Sequence, residues 1–294
     1  MKPQPELFDG AEVRFWDIDP HAYQTERDHV RRSHLELLRE SAKLYEHHVV
    51  LGNPRPDKKS FRVGRALHVE VLQPELAEQL LVVPPTFNKR TNAGKEQLRR
   101  WQEALPPGAI VLTRDERQTV ECMARSLRSD PRSAALLERD GATELPLEWE
   151  DPITGLPCKA MLDKYFETRD GSAVRVLDLK STNDPSEDAF AKTVASFGYH
   201  RQDAMYRDAA RRYAGGRPLS FAFLVVRNVA PFEVAIYDLS DVTVDAGRRQ
   251  IRKALNRLAA HLASGDWRAP WQGALDDFRP TTISIPNYAL KEAA

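Results

Sequence analysis

Hydrophobic residues recur at helical spacing through the first 140 positions of the chain. The stretch 33–45 has apolar residues three and four positions apart after Ser33, a residue type that caps helices. The same spacing continues over 61–72 and stops at Pro74, since proline cannot extend a helix. Three further amphipathic stretches predict helices, at 93–105, 115–127 and 131–139. The first part of the chain is therefore predicted to be largely helical.

After residue 140 the pattern changes to short runs of apolar and β-branched residues. These runs predict strands over 143–149, 158–166 and 173–180. The turn sequences D-P-I-T-G-L-P and R-D-G separate them. Because short connections join antiparallel neighbours, the three strands are predicted to form a β-meander.

The rest of the pattern alternates again between helical and strand periods. The continuous apolar run 219–227 is typical of a strand that is buried on both faces. In order, the predicted elements are a helix that buries Phe190, Val194 and Phe197, a helix over 199–213, strands over 219–227 and 232–238, and a helix over 241–263 that buries Ile251, Leu255, Leu258 and Leu262.

Taken together, these elements predict an α/β fold with a mixed β-sheet flanked by helices. No internal repeat or linker composition divides the chain. We therefore expect one domain over 1–294, with a helical part at 1–140, a core at 141–264 and a C-terminal tail at 265–294.

Composition and charge fit this picture and add little on function. The chain is 41% hydrophobic and 29% charged, which is ordinary for a globular protein. Its net charge of zero gives no overall electrostatic case for nucleic-acid binding, so any basic track has to be local. Such a cluster is more often the solvated face of a helix. The clusters are Lys58 and Lys59; Lys89, Arg90, Lys95, Arg99 and Arg100; Arg211, Arg212 and Arg217; and Arg248, Arg249, Arg252 and Lys253.

Only two cysteines, Cys122 and Cys158, are present. This count excludes a disulfide framework and a four-cysteine metal site within one chain. The N-terminal sequence lacks the apolar core of a signal peptide, and no run approaches the ~18 apolar residues of a membrane span. The expected setting is a reducing cytoplasm, without membrane association.

Acidic and basic side chains stand at the ends of two neighbouring predicted strands. Asp163 closes one apolar run, and the sequence D-L-K at 178–180 closes the next. Alternation places Asp178 and Lys180 on one face and directs Leu179 inward, leaving the Leu179 carbonyl as an additional oxygen ligand. Carboxylates hold Mg²⁺, and an ammonium group can point at the attacking water or the phosphate. The pattern predicts a divalent-metal phosphodiesterase site, although alone D-x-K also fits a strand end whose acid and lysine merely pair.

Five ordered segments extend this observation over 45–238, most of the chain. They are G-R-A-L-H-V-E-V-L-Q-P at 64–74, N-K-R-T-N-A-G-K at 88–95, E-D-P-I-T-G-L-P-C-K-A-M-L-D at 150–163, V-L-D-L-K-S-T at 176–182 and F-G-Y-H-R-Q-D-A-M-Y at 197–206. In order and spacing the chain resembles the PD-(D/E)XK nuclease superfamily, and within it the phage and prophage exonucleases of the RecE (exonuclease VIII) type. The resemblance implies a restriction-endonuclease-like core.

The resemblance also implies roles for individual residues. His68 is similar to the histidine that binds the metal in these nucleases, and Asp163 and Asp178 are similar to the metal carboxylates. The implied metal ligands are His68, Asp163, Asp178 and the carbonyl of Leu179. Lys180 is similar to the lysine that orients the nucleophile or stabilises developing charge.

Two further positions match the family's helical Q-x-x-x-Y motif, and a third matches the family's upstream glutamate. Gln202 and Tyr206 are four residues apart, hence on one helical face beside the implied active site. Their other interpretation is simple helix packing. Glu144 fits the glutamate position best, although Glu148 and Glu150 remain alternatives. These three residues complete the implied catalytic set.

The expected activity is that of a Mg²⁺-dependent exonuclease that also accepts Mn²⁺. The resemblance implies that it degrades linear double-stranded DNA from its ends, 5′ to 3′, and leaves 3′ single strands for annealing-type recombination. It further implies a ring-shaped homo-oligomer and a single-strand annealing protein as partner. The alternatives are an endonuclease of the same superfamily and a catalytically silent DNA-binding scaffold.

Overall fold

A computed structural model describes residues 5–268 and residue 284. Its helices are α1 (Pro20–Thr25), α2 (Arg32–Glu40), α3 (Ala42–Tyr45), α4 (Lys59–Leu72), α5 (Pro74–Leu80), α6 (Asn92–Glu103), α7 (Arg114–Ser129), α8 (Pro131–Leu137), α9 (Glu187–Phe197), α10 (Tyr199–Tyr213) and α11 (Asp241–Ser264), with a π-helical turn at Glu46–Val50. Its strands are β1 (Arg14–Phe15), β2 (Leu81–Val82), β3 (Ile110–Val111), β4 (Ala142–Glu150), β5 (Pro157–Glu167), β6 (Val174–Thr182), β7 (Leu219–Arg227) and β8 (Val234–Tyr237). The tail expected at 265–294 lies outside the described residues from 269 onward, apart from residue 284.

Six strands form the central sheet in the order β1-β4-β5-β6-β7-β8. Strands β4, β5 and β6 follow one another through short turns and pair antiparallel, as predicted. Strand β7 pairs parallel to β6, because α9 and α10 carry the chain back across the sheet between them. The small strands β2 and β3 pair parallel with each other outside this sheet.

Helices cover both faces of the sheet, each over its own hydrophobic core. One core packs α2, α3, α9, α10 and α11 against β4, β5 and β7. The other packs α4, α5 and α7 against the opposite face of β6 and β7. Leu179 points into this second core, so the alternation predicted for D-L-K holds. The predicted α/β fold, a mixed sheet flanked by helices, is confirmed.

The helical pattern is wrong at two helix ends. Phe197 is 58% exposed and Leu262 is 48% exposed, although both continue the apolar spacing of their helices. Both lie in the last turn, where the helix extends beyond the core that covers its earlier residues. The Phe197 ring stacks instead on Tyr199, with ring centroids 5.9 Å apart.

The helix predicted over 33–45 is interrupted at Ser41. Its backbone is extended, with φ of −162° and ψ of 137°, so α2 ends and α3 begins there. The Ser41 hydroxyl accepts a hydrogen bond from the amide of Lys43, which caps the new helix. Across residues 5–268, no helix is both long and apolar enough to cross a membrane.

Candidate active site

Two buried carboxylates lie where strands β5 and β6 part. The ladder between these strands ends at the pair Lys164 and Leu177, and Asp163 and Asp178 come next on each strand. Asp163 is 7% exposed and Asp178 is 1% exposed. Leu179 has no paired residue on β5, and its amide donates a 2.7 Å hydrogen bond to Asp163 Oδ2. The carboxylate therefore replaces the missing ladder contact and is fixed by it.

His68 and Glu144 complete a compact cluster with Asp163. The Nδ1 atom of His68 lies 3.5 Å from the Glu144 carboxylate and 3.6 Å from that of Asp163. Its other ring nitrogen lies 3.0 Å from the carbonyl oxygen of Leu179. One ligand atom from each of the three residues lies within 4.8 Å of the others. Helix α4, which covers the sheet face of the second core, thus brings the histidine to the strand residues.

Asp178 is held by a separate set of contacts. The ammonium of Lys180 pairs with its Oδ2 atom, and the side-chain amide of Gln202 donates a hydrogen bond to its Oδ1 atom at 2.5 Å. Lys180 also lies over the ring of Tyr199, 5.1 Å from the centroid. Asp178 is thus next to the three-residue cluster and not part of it.

Burial and mutual repulsion shift the acids away from their usual range. Burial raises the pKa of Asp178 to about 6, and the neighbouring Asp163 adds to the shift. Burial likewise raises the pKa of Asp163. For Lys180, burial disfavours the ammonium, but Asp178 and Asp163 outweigh it and raise the pKa. Lys180 is therefore positively charged at neutral pH and cannot accept a proton.

The carboxylates around His68 favour its protonated form. Burial opposes its charge, but Asp163 and Glu144 outweigh burial and raise the pKa of His68 to about 9. A histidine must be neutral to bind a metal, so an incoming ion has to displace this proton. A divalent cation would balance the negative charge around His68 in place of this proton.

The donor set fits a divalent cation. It offers one imidazole nitrogen of His68 and the carboxylates of Glu144 and Asp163, and Glu144 Oε1 is buried without a hydrogen bond. Oxygen ligands on opposite sides of Mg²⁺ lie roughly 4 Å apart, close to the spacing of the cluster. Buried carboxylate oxygens need such a partner, because an unpaired buried charge is costly.

Tyr206 stands near the same charges. Burial raises the pKa of Tyr206 to about 12, even though Arg32 favours its ionised form and Asp178 adds to the rise. Its hydroxyl therefore stays protonated and can donate a hydrogen bond. Among the residues predicted from the sequence, His68, Glu144 and Asp163 meet in one cluster, and Asp178, Lys180 and Gln202 meet in the adjoining one. The Leu179 carbonyl contacts the ring nitrogen of His68 that faces away from the two carboxylates.

The other two candidate glutamates lie elsewhere. Glu148 pairs with Arg14 at 2.8 Å and lies 3.5 Å from His29. Glu150 is exposed at the end of β4. Only Glu144 is next to Asp163.

Several arginines of the predicted basic clusters have structural partners. Arg248 binds the fully buried Asp208, and Arg252 binds the fully buried Asp151 with two hydrogen bonds. The pairs formed by the other clusters are Arg211 and Arg212 with Glu6, Arg99 and Arg100 with Glu96, and Arg217 with Glu167. Within residues 5–268, Lys89, Arg90 and Lys95 beside the start of α6 form no ion pair.

No sequence motif predicts a role for Arg32, which lies beside the site in the structure. Its guanidinium donates a 3.1 Å hydrogen bond to the Oε1 atom of Gln202. Arg32 and Gln202 are 170 positions apart, so neither a motif nor a helical period connects them.

Comparison with known proteins gives one family and one fold. Residues 33–270 match the family described as a PDDEXK-like domain of unknown function (DUF3799). The fold is similar to a crystal structure from Eubacterium rectale described as "Putative exonuclease", with a TM-score of 0.59 and 13% sequence identity over 95% of this chain and 100% of that one. Among curated proteins there is no sequence match.

Proposed function

The chain belongs to this family of PDDEXK-like domains, and on that premise we propose that it is a divalent-metal-dependent nuclease that degrades linear double-stranded DNA from its ends. The observation that carries the proposal is the cluster of His68, Glu144 and Asp163 beside the ion pair of Asp178 and Lys180. A cation site and a fixed positive charge next to each other can neutralise the negative charge that develops during phosphodiester hydrolysis.

The proposed ligands of the cation are His68, Asp163, Asp178 and the carbonyl of Leu179. Glu144 adds a carboxylate to the same cluster. A bound divalent ion supplies charge neutralisation at the phosphate and lowers the pKa of its bound water. Mg²⁺ is the proposed ion, with Mn²⁺ accepted, because the histidine nitrogen suits Mn²⁺ at least as well.

The remaining side chains position the substrate and the charges. The Lys180 ammonium is charged, so it can stabilise negative charge on the phosphate and orient the attacking water. Gln202 holds Asp178 through the carboxylate oxygen that Lys180 does not contact. Tyr206 retains its proton and is proposed to donate a hydrogen bond to a DNA phosphate.

Attack at DNA ends, rather than within the duplex, is supported by the five motifs similar to RecE-type exonucleases and by the name "Putative exonuclease" of the E. rectale protein with a similar fold. By the same resemblance we propose 5′-to-3′ polarity, 3′ single-stranded products for annealing-type recombination, a single-strand annealing partner, a ring-shaped homo-oligomer and a cytoplasmic setting.

The test compares two substrates of the same sequence, a linear duplex labelled at either 5′ or 3′ terminus and a covalently closed circle. Each is incubated with Mg²⁺, Mn²⁺ or EDTA. The proposal predicts metal-dependent loss of the linear duplex alone, with the label released first from the 5′ terminus. Cutting of the closed circle would show an endonuclease instead. Binding of DNA without cleavage of either substrate would favour a silent scaffold.

A further inference from the structure

Arg32 contacts both α9 and α10, the two consecutive helices beside the candidate active site. It is the first residue of α2, and its Nη2 atom donates to Gln202 Oε1 at 3.1 Å. Its Nη1 atom donates to the carbonyl oxygen of Phe197, at the end of α9, at 3.3 Å. One guanidinium thus binds both the turn that precedes α10 and the side chain on α10 that holds Asp178.

The neighbouring acid leaves Arg32 free for these contacts. Glu36 lies one helical turn further along α2, but Arg201 binds its two oxygens at 2.6 and 2.7 Å and Arg39 binds it at 2.9 Å. Within residues 5–268, no carboxylate lies within ion-pair distance of Arg32. Its guanidinium is therefore available to the Gln202 amide oxygen and the Phe197 carbonyl oxygen.

This contact fixes which way round the Gln202 amide stands. A glutamine amide has an accepting end and a donating end, whereas an arginine only donates. With Arg32 on the Oε1 side, the amide nitrogen has to face Asp178, and it donates to Oδ1 there. The reversed amide would direct its oxygen at the carboxylate and its nitrogen at the guanidinium, which is unfavourable on both sides.

The turn between α9 and α10 supports the same geometry. Gly198 has a φ of 70°, and a Cβ atom there would lie 2.0 Å from the guanidinium of Arg201. The backbone amide of Gln202 donates to the carbonyl of Gly198. Because Arg32 binds the preceding carbonyl of Phe197, it holds this turn and the amide at once.

We propose that Arg32 is a positioning residue: it fixes the Gln202 amide so that the amide donates to Asp178, and thereby keeps Asp178 in place to bind the divalent cation. The inference rests on the proposed function, since it takes Asp178 as a metal ligand. Arg32 acts through Gln202 and does not itself contact the cation.

The test is a double-mutant cycle read by metal affinity. Mn²⁺ dissociation constants are measured by calorimetry for the wild type, Arg32→Met, Gln202→Met and the double variant. The affinity of each for a short duplex is measured in EDTA by fluorescence anisotropy. Arg39→Met is the matched control, because Arg39 lies on the same helix and, within residues 5–268, its only ion pair is with Glu36. Arg32→Leu, which likewise has no donor, replaces Arg32→Met in the cycle if the methionine variant does not fold.

The expected result is a non-additive loss of metal affinity. Residues that orient metal ligands typically change affinity about 10- to 100-fold, so we expect at least about 10-fold weaker Mn²⁺ binding in each single variant. The double variant is expected to equal Gln202→Met alone. Arg39→Met is expected to bind Mn²⁺ as the wild type does, and duplex affinity in EDTA is expected to change less than about twofold.

Three outcomes would overturn the inference: unchanged Mn²⁺ affinity in Arg32→Met, additive losses in the double variant, or weaker duplex binding in EDTA with normal Mn²⁺ affinity. The last would make Arg32 a phosphate contact. Failure of the proposed function looks different, because then the wild type binds Mn²⁺ and shows the same non-additive cycle but hydrolyses no DNA.

Discussion

Glu144 and Asp163 lie opposite each other on adjacent antiparallel strands, with His68 between their carboxylates. The flanking pairs, Thr143 with Lys164 and Leu145 with Leu162, fix this register. Glu144 adopts a φ of 48°, which is rare for a residue with a side chain. Strain of this kind costs of order 1–3 kcal/mol and persists where the surrounding structure imposes it. The site thus places like charges together at a strained position, at the expense of stability.

The strain at Glu144 predicts an unusual order of stabilities. Glu144→Gly is expected to be more stable than Glu144→Ala by about 1 kcal/mol, because only glycine adopts positive φ without cost. Both variants lose the same carboxylate, so their comparison isolates the backbone. Urea unfolding in EDTA measures the difference.

The same pair of substitutions at Glu148 is the control. Glu148 lies on the same strand without a positive φ, so there the glycine variant is expected to be less stable than the alanine variant by about 0.5–1 kcal/mol. If the glycine variant is less stable than the alanine variant at both positions, the account of strain at Glu144 is contradicted.

The choice between the two glutamates predicts a difference in activity. Glu144→Gln removes a carboxylate beside His68 and Asp163, and we expect metal affinity and metal-dependent cleavage to fall by about 10- to 100-fold or more. Glu148→Gln only weakens contacts with Arg14 and His29, so it is expected to retain activity. Titration of Mg²⁺ against cleavage rate measures both. A larger loss in Glu148→Gln would reverse the assignment.

The sequence predicts part of the arrangement of these residues. Strand alternation predicts that Asp178 and Lys180 share a face and that Leu179 is buried, and the structure agrees. Alternation cannot separate Glu144 from Glu148, because residues four apart on a strand share a face. The separation comes from the local backbone at Glu144 and from Arg14, whose two-residue strand is too short to give a periodic signal.

Contacts between distant segments also lie beyond the sequence pattern. Arg32 looks like any surface arginine at a helix start, and only the packing of α2 against α10 brings it to Gln202. The exposed side chain of Phe197 shows the reverse case. Its helical period is right, but a period does not say where the covering core ends.

Because His34 is buried, we expect the protein to lose stability in acid. Burial lowers the pKa of His34 to about 3, from 6.5 for a free side chain, and Arg31 and Lys159 add to the shift. The unfolded chain therefore binds a proton that the folded protein does not between pH 6.5 and about 3. The stability linked to His34 is complete above pH 6.5 and is lost as the pH falls, by up to about 1.4 kcal/mol per pH unit.

His34→Phe tests this expectation, since phenylalanine keeps an aromatic ring against Tyr45 without a titrating proton. Urea unfolding from pH 7 to pH 4 is expected to show a shallower acid loss than in the wild type. His47→Gln, at an exposed histidine, is expected to follow the wild-type slope. An unchanged slope in His34→Phe would show that other groups cause the acid loss.

A buried lysine is predicted to be a strong structural contact. Lys159 is fully buried, and its ammonium donates to the carbonyls of Tyr23 and Glu26 and to the Glu26 carboxylate. Lys159→Ala removes the donor to both carbonyls and to Glu26 Oε2, so we expect a loss of about 3–5 kcal/mol in the free energy of unfolding. Lys164, on the same strand, forms no such hydrogen bonds among residues 5–268. Lys164→Ala is therefore expected to lower the free energy of unfolding by less. Equal losses at the two sites, measured in urea, would contradict this role for Lys159.

The most direct test of the central claim measures hydrolysis of a linear duplex against Mg²⁺ concentration, for the wild type, Asp163→Asn and Lys180→Met. Duplex binding is measured in parallel in EDTA. The account predicts cleavage that rises with Mg²⁺, stops in EDTA and is lost in both variants, while the variants keep their affinity for DNA. Cleavage that continues in EDTA or in either variant, or a wild type that hydrolyses no DNA at any Mg²⁺ or Mn²⁺ concentration, would contradict it.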